Sequence, residues 1–166
     1  MRNIRIDKVV LNIGIGSNDN LLPNAKALLK KLTNHEAATR SAKKRDPTLH
    51  LRKGQVISAL VTLRGEEAKE VLKKALDAND NTLKPKAIMT NSLSFGVKEY
   101  IDISGVKYDP KIGMLGMHVN VSFSRPGKRV ERRKRSESKI PSRHNLIDPK
   151  EIEAYMAKNF NAKIAE

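Results

Sequence analysis

The chain has 166 residues, 33 Lys or Arg against 18 Asp or Glu, a formal net charge of +15 and no cysteine. This composition excludes a disulfide scaffold and thiolate zinc sites, and no run reaches the roughly 18 apolar residues of a membrane-spanning helix. Charges interrupt the N-terminal segment where a signal peptide would be apolar, so we expect a soluble intracellular protein.

The first half of the chain predicts two pairs of a strand and a helix. Apolar residues at every second position over residues 8–15 predict a strand with one buried face. A helical period over residues 21–33 then predicts a helix that Asn34 ends in a left-handed conformation. Residues 56–64 are rich in β-branched side chains and predict a second strand. Residues 66–77 carry apolar residues at helical spacing and predict a second helix.

The second half of the chain is less regular. Residues 94–103 predict an extended segment, and the alternation over residues 117–124 predicts a strand. A last helix is expected at about residues 149–160, with Asp148 and Glu151 forming a capping box at its start.

Together these elements predict an α+β fold. The chain shows no internal repeat and no shift in composition, so we expect a single domain over residues 1–166. Its sheet is expected to be largely antiparallel, with the helices packed on one face. Two basic extensions project from this domain. We call them the basic loop (residues 40–54) and the basic arm (residues 125–143).

The positive charge is concentrated in these two extensions. The basic arm has nine Lys or Arg against two Glu, a net charge of +7, and residues 40–53 have six against one acid, a net charge of +5. Ordinary solvated surfaces mix both signs, so this concentration predicts a polyanionic partner, above all nucleic acid. A membrane surface is the weaker alternative, because the arm has only Val130 and Ile140 to insert. The candidate phosphate-binding residues are Arg125, Lys128, Arg129, Arg132, Arg133, Lys134, Arg135 and Arg143.

The strands predict a second surface, on the sheet face opposite the helices. Its neutral side chains are short enough to let an RNA backbone come close, although an antiparallel sheet with one wet face explains the pattern equally well. Aromatic residues are few, which disfavours binding by base stacking, so we favour structured RNA and keep a duplex DNA binder as an alternative. The face is expected to present Asn12, Ser58, Thr62, Arg64, His118, Asn120, Ser122 and Ser124.

The sequence predicts no chemistry. The four histidines stand far apart, Gly14 and Gly16 form only half of a phosphate-binding loop, and no nucleophile lies beside a base in a recognisable arrangement. We therefore expect no metal, no cofactor and no enzymatic activity. The alternative from another class is an enzyme or chaperone acting on RNA, with the basic extensions as substrate guides.

Five segments of the chain, in order, closely resemble the universal large-subunit ribosomal protein L five family. They are IDKVVLNIGIG at residues 6–16, VTLRG at 61–65, SFGVKEYI at 94–101, YDPKIGMLGM at 108–117 and RPGKR at 125–129. The resemblance covers essentially residues 1–164. The basic arm and the closing IPSRH segment with its helix are similar to the archaeal and eukaryotic form of the family.

The resemblance implies a non-enzymatic protein of the cytoplasmic ribosome. Family members bind 5S rRNA, help attach it to the large subunit in the central protuberance, and reach toward the small subunit. The asparagine of the first strand and the threonine of VTLRG belong to the family's 5S rRNA contact surface, which corresponds to Asn12 and Thr62 here. Arg64 and Asn120 share that polar face, so we add them to the expected contacts.

The resemblance also implies partners for the two basic extensions. The basic arm is expected to follow rRNA phosphates, and the family's loop matching residues 43–54 approaches the P-site tRNA. The implied partners are 5S rRNA, large-subunit rRNA, P-site tRNA, neighbouring ribosomal proteins and the small subunit, with no membrane. The candidate tRNA-contacting residues are Lys43, Lys44, Arg45, His50, Arg52 and Lys53.

Overall fold

A six-stranded antiparallel sheet forms the centre of the computed structural model, which describes residues 3–16 and 18–165. Its strands stand in the order β2-β3-β1-β7-β6-β5, and β4 and β8 form a separate parallel pair. The strands are β1 Arg5–Gly14, β2 Ala38–Ser41, β3 Val56–Leu63, β4 Thr82–Leu83, β5 Ile88–Met89, β6 Ser92–Val97, β7 Met117–Ser124 and β8 Lys163–Ile164.

Three helices, α1 (Leu22–Thr33), α2 (Gly65–Asp77) and α4 (Pro149–Phe160), cover the apolar face of this sheet. A fourth, single-turn helix, α3, spans Ser142–Asn145. The predicted end of α1 is confirmed, because Asn34 is left-handed with φ 56° and its N–H donates to the Lys30 carbonyl. None of the helices in the described ranges is long and apolar enough to cross a membrane.

The core lies between the helices and alternate residues of the central strands. Val9, Leu11 and Ile13 of β1 are at most 1% exposed, and their neighbours on β3 and β7 are equally apolar. The predicted α+β class, with a largely antiparallel sheet and helices on one face, is confirmed. The alternation of apolar and polar residues predicts this arrangement because one face of each strand is buried and the other is not.

Two local predictions were wrong. Residues 94–103 are not one extended segment, because β6 ends at Val97 and a 3₁₀ turn follows at Tyr100–Asp102. Helix α4 begins at Asp148 and Pro149 as expected, but no side chain caps it. The Glu151 carboxylate, the supposed partner in a capping box, accepts a hydrogen bond from Arg125 instead, since a guanidinium offers a stronger, charge-assisted contact.

The long connection between β6 and β7 is held to the end of the sheet by Tyr100. Its ring is fully buried, its N–H donates to the Leu115 carbonyl at 3.2 Å, and its hydroxyl accepts from the Asp109 N–H at 3.0 Å. Gly116 closes the same connection, because a Cβ there would lie 2.6 Å from the Lys98 carbonyl oxygen. The connection therefore has a defined path over the end of the sheet.

Substituting Tyr100→Phe should lower the free energy of unfolding by about 1 kcal/mol, because the partly buried Asp109 N–H loses its acceptor while the ring stays packed. Urea unfolding at neutral pH measures the change. Tyr108→Phe is the matched control, since the Tyr108 side chain in the same connection is exposed. Equal effects of the two substitutions would contradict the anchoring role of the Tyr100 hydroxyl.

Candidate nucleic-acid interface

The three central strands place three candidate residues on one face of the sheet. Thr62 of β3 pairs with Val10 of β1, and Val10 pairs with Asn120 of β7. In the adjacent row, Asn12 pairs with Leu60. Residues two positions apart on a strand share a face, so Thr62, Asn120 and Asn12 all lie opposite the helices. We call this surface the polar sheet face.

The polar sheet face is partly open and partly apolar. Thr62 is exposed, while Asn12 and Asn120 are half-buried and take no part in the side-chain hydrogen bonds of the described residues. Their amide groups are therefore available to a ligand. Val10 and Leu60 also lie on this face, so it is less polar than the sequence predicted.

Two of the expected face residues are not accessible. Ser58 is 8% exposed and Ser124 is 3% exposed. Arg40 of the edge strand β2 pairs with Ser58, and the chain turns into the basic arm directly after Ser124. The predicted role of these two serines as open contacts was wrong, because the alternation of a strand does not show what covers its ends.

A single carboxylate connects the polar sheet face to the basic arm. Asp7 lies where the pairing of β1 with β7 shifts register between Ile6 and Lys8. Its Oδ1 accepts from Arg64 Nη1 at 3.3 Å, and its Oδ2 accepts from Arg132 Nη2 at 3.2 Å. Two candidate RNA contacts that are far apart in sequence are thus brought together by a residue that the sequence analysis missed.

The ionisation of Asp7 follows from these contacts. Partial burial by itself raises the pKa of the carboxyl, but the hydrogen bond and charge of Arg132, together with the charges of Arg64 and Lys128, outweigh burial. The net result is a pKa below the ordinary value of 3.8. Asp7 is therefore ionised at neutral pH, and it neutralises part of the positive charge of the two arginines while orienting them.

The basic arm folds back on itself. Gly127 turns the chain with φ 103°, a 3₁₀ turn follows at Lys128–Glu131, and the Ser138 N–H donates to the Val130 carbonyl at 3.3 Å. At the far end of the arm, Arg133 Nε donates to the Ser136 carbonyl at 2.8 Å. Five of the predicted bases line one cleft of about 620 Å³ there, and they are Arg129, Arg132, Arg133, Lys134 and Arg135.

Three predicted phosphate-binding residues, Arg125, Lys128 and Arg143, stand apart from that cleft. The Arg125 side chain is only 17% exposed and forms an ion pair of 2.6 Å with Glu151 of α4. Its charge is already balanced, so it is less available to an outside phosphate than the bases of the cleft. Arg143 lies on the returning end of the arm, where its side chain lines a different cavity together with Lys128.

The basic loop is a hairpin extension between β2 and β3. Asp46 and Leu51 exchange backbone hydrogen bonds, and the Gly54 N–H donates to the Ala42 carbonyl at 2.9 Å. The hydroxyl of Thr48 donates to the Asp46 carboxylate, and this contact lowers the pKa of Asp46 below 3.8. All six candidate bases of the loop are exposed, namely Lys43, Lys44, Arg45, His50, Arg52 and Lys53.

The two basic extensions lie at opposite ends of the central strand β1. Gly14, at one end of β1, pairs with Ser58 near the start of β3, where the basic loop joins the sheet. Arg5, at the other end, pairs with Ser124, where the basic arm begins. Ten residues of strand span about 30 Å. The polar sheet face therefore lies between two clusters of positive charge.

These features define a basic, polyanion-binding type of α+β protein. In the part of the chain that the structure describes, no three His, Cys, Asp or Glu residues are grouped as a metal site would require. The chain belongs to the uL5 family of ribosomal proteins, since the family profile for the C-terminal region of these proteins matches residues 56–142.

Full-length similarity to archaeal proteins supports the same assignment. The large ribosomal subunit protein uL5 of Nanoarchaeum equitans is 46% identical over 147 residues, which cover 88% of this chain and 87% of the relative. The protein of the same name from Nitrosopumilus maritimus is 36% identical over 99% of this chain and 95% of its own length. That from Sulfurisphaera tokodaii is 39% identical over 100% and 94%. The resemblance carried by the five segments is thereby confirmed, as is the expectation of a non-enzymatic ribosomal protein.

Asparagine at position 7 should make the fold less stable at neutral pH but not in acid. A group whose folded pKa is depressed contributes stability above its unfolded pKa and loses it as pH falls through the folded value. For Asp7→Asn we expect a loss of about 0.5–1 kcal/mol at pH 7, because both arginines are more than half exposed and water screens the pairs. The loss should shrink as pH falls below about 4, toward the depressed pKa.

Urea unfolding of Asp7→Asn and of the parent protein between pH 7 and pH 3 measures the difference in their free energies of unfolding. Asp80→Asn is the matched control, because Asp80 is exposed and its left-handed backbone, φ 52°, also suits asparagine. A difference between Asp7→Asn and the parent protein that stays constant with pH would contradict the ion-pair role of Asp7.

Proposed function

We propose that the chain is a structural constituent of the large ribosomal subunit that binds 5S rRNA and helps attach it in the central protuberance. The relatives that match nearly all of the chain are named as large-subunit ribosomal proteins. The observation that carries the proposal is the position of the polar sheet face between two cationic extensions at opposite ends of β1.

The polar sheet face is the proposed recognition surface for 5S rRNA. Asn12 and Asn120 supply amide donors and acceptors, Thr62 supplies a hydroxyl, and together they match the sugar hydroxyls and phosphate oxygens of an RNA backbone. Arg64 lies at the edge of the face, oriented by Asp7, and adds a guanidinium that can bind one phosphate. Val10 and Leu60 add apolar surface against which a sugar can pack.

The two extensions have separate proposed partners. The basic arm follows the phosphates of large-subunit rRNA, because five of its bases line one cleft and, among the described ion pairs, only Arg132 of these five meets an acid. The basic loop extends from the opposite end of the sheet toward the P-site tRNA. Neighbouring ribosomal proteins and the small subunit complete the proposed surroundings.

Direct binding tests the proposal. The purified full chain should bind archaeal 5S rRNA more tightly than an unrelated structured RNA of equal length, measured at physiological salt with duplex DNA as a further competitor. Equal affinity for the two RNAs would overturn the proposal, and tighter binding to duplex DNA would favour a DNA-binding function instead.

Removing the neutral contacts should weaken specific binding alone. Thr62→Ala and Asn12→Ala should each reduce the affinity for 5S rRNA by about 1 kcal/mol, because polar groups of the RNA lose their partners. Affinity for the unrelated RNA should not change. Thr90→Ala, an exposed threonine beyond the edge strand β5, is the matched control. A parallel loss for both RNAs would mean that these side chains do not select the RNA.

Removing charge from the arm should have a different signature. Double substitutions to Ala among Arg132, Arg133 and Arg135 should weaken binding to every RNA and reduce the slope of log Kd against log salt by up to roughly one unit per lost phosphate contact. Lys26→Ala with Lys74→Ala removes two charges from the helices and serves as the control. If arm variants lost the same affinity at low and high salt, the phosphate role would be wrong.

A further inference from the structure

A cavity of about 530 Å³ lies where the two ends of the basic arm meet. The first end supplies Pro126 and Val130 as apolar walls, and the returning end supplies Ile140. Lys128 and Arg143 line the same cavity with positive charge. The volume falls within the range of about 300–1,000 Å³ found for sites that bind small organic molecules.

Both ends of the arm are fixed to the folded domain, so the walls of this cavity are held in place. The ion pair between Arg125 and Glu151, 2.6 Å long, fixes the first end to helix α4. Asn91 fixes the chain that follows the arm, because its Oδ1 accepts from the Ile147 N–H at 2.7 Å and its own N–H donates to the Ile147 carbonyl. A site with fixed walls loses less entropy on binding than a free arm would.

The wall of the cavity also includes an arginine that is already paired. Arg125 is one of its lining residues, and only the Nη2 of that guanidinium reaches Glu151. The Nε of Arg125 is buried and has no partner among the described residues. Because that atom is enclosed, Arg125 contributes a fixed wall to the cavity and not a donor for its occupant.

We propose that this cavity, at the base of the arm, receives one nucleotide of rRNA whose base is turned out of its stack. The base and sugar pack between Pro126, Val130 and Ile140, and the phosphate is bound by Lys128 and Arg143. The proposal rests on the proposed rRNA-binding function and goes further, since the arm then recognises an unstacked base as well as phosphate charge.

The composition of the cavity favours a nucleotide over a bare phosphate or an acidic peptide. Apolar side chains make no favourable contact with inorganic phosphate. A nucleotide base, in contrast, has a flat surface of little charge that packs against them. The arm beyond the cavity continues as a row of exposed bases, which suits the repeating phosphates of the same RNA chain. Proteins that recognise RNA commonly do so at unstacked nucleotides of this kind.

Methyl NMR of the full chain tests occupancy of the cavity with defined probes. Adenosine or uridine 5′-monophosphate should shift the methyl signals of Val130 and Ile140, while ribose 5-phosphate, which lacks the base, should shift them much less. A glutamate-rich peptide serves as the acidic-peptide probe. No shift with the nucleotides, or equal shifts with ribose 5-phosphate or the peptide, would overturn the proposal.

A filled cavity should weaken rRNA binding while leaving most of its salt dependence in place. Ile140→Trp adds bulk but no charge and displaces only the one phosphate that Lys128 and Arg143 bind, so we expect about tenfold weaker binding to deproteinised archaeal large-subunit rRNA, with a salt slope reduced by no more than about one unit. Leu49→Trp, on the exposed tip of the basic loop, is the matched control. Val130→Trp provides a second filling variant, and thermal unfolding checks that each variant is folded.

The two proposals fail in different ways. If the parent chain prefers rRNA to unrelated RNA and both filling variants bind it as well as Leu49→Trp does, the cavity proposal is wrong and the proposed function stands. If the parent chain shows no preference for rRNA, the proposed function is wrong, and the nucleotide titration still decides whether the cavity takes a base.

Discussion

Burial of one face of the six-stranded sheet is the constraint on which the rest of the molecule depends. Val9, Leu11 and Ile13 face the helices together with alternate residues of the neighbouring strands, and this places Val10 and Asn12 on the other side. A slip of one residue in the pairing would exchange the two faces completely. The same register that closes the core therefore also decides which side chains lie on the polar sheet face, so that face and the stability of the fold cannot be varied independently along β1.

The sequence predicted the structure correctly where a regular spacing of apolar residues matched a regular pattern of burial. The alternation in β1 and β7 and the helical spacing in α2 were sufficient to predict the class of fold and the face on which Asn12, Thr62 and Asn120 lie. The five ordered segments were sufficient for the family. Each of these signals is found within a short segment or a sequence motif, without knowledge of the contacts between distant residues.

The rest depended on contacts between distant residues, which no local pattern contains. Asp7 meets Arg132 across 125 positions of sequence, and Arg125 takes Glu151 away from the helix cap across 26. Burial of Ser58 and Ser124 depends on what lies beside the strand ends, which the alternation within one strand does not contain. The chain has a net charge of +15, yet two of its carboxylates, Asp7 and Glu151, orient the guanidinium groups of Arg132 and Arg125. The count of acidic residues alone does not predict these pairs.

The order of the strands has a consequence for how the protein is made. The central strand β1 pairs on one side with β3 and on the other with β7, so Arg5 finds its partner Ser124 only after more than a hundred further residues have left the ribosome. Until then one edge of β1 has no neighbour, and such distant pairings form slowly. The basic arm is synthesised immediately after β7, so completion of the sheet and appearance of the most cationic segment nearly coincide. A nascent chain of this design does not display the charge of its basic arm until every strand of the six-stranded sheet has been made.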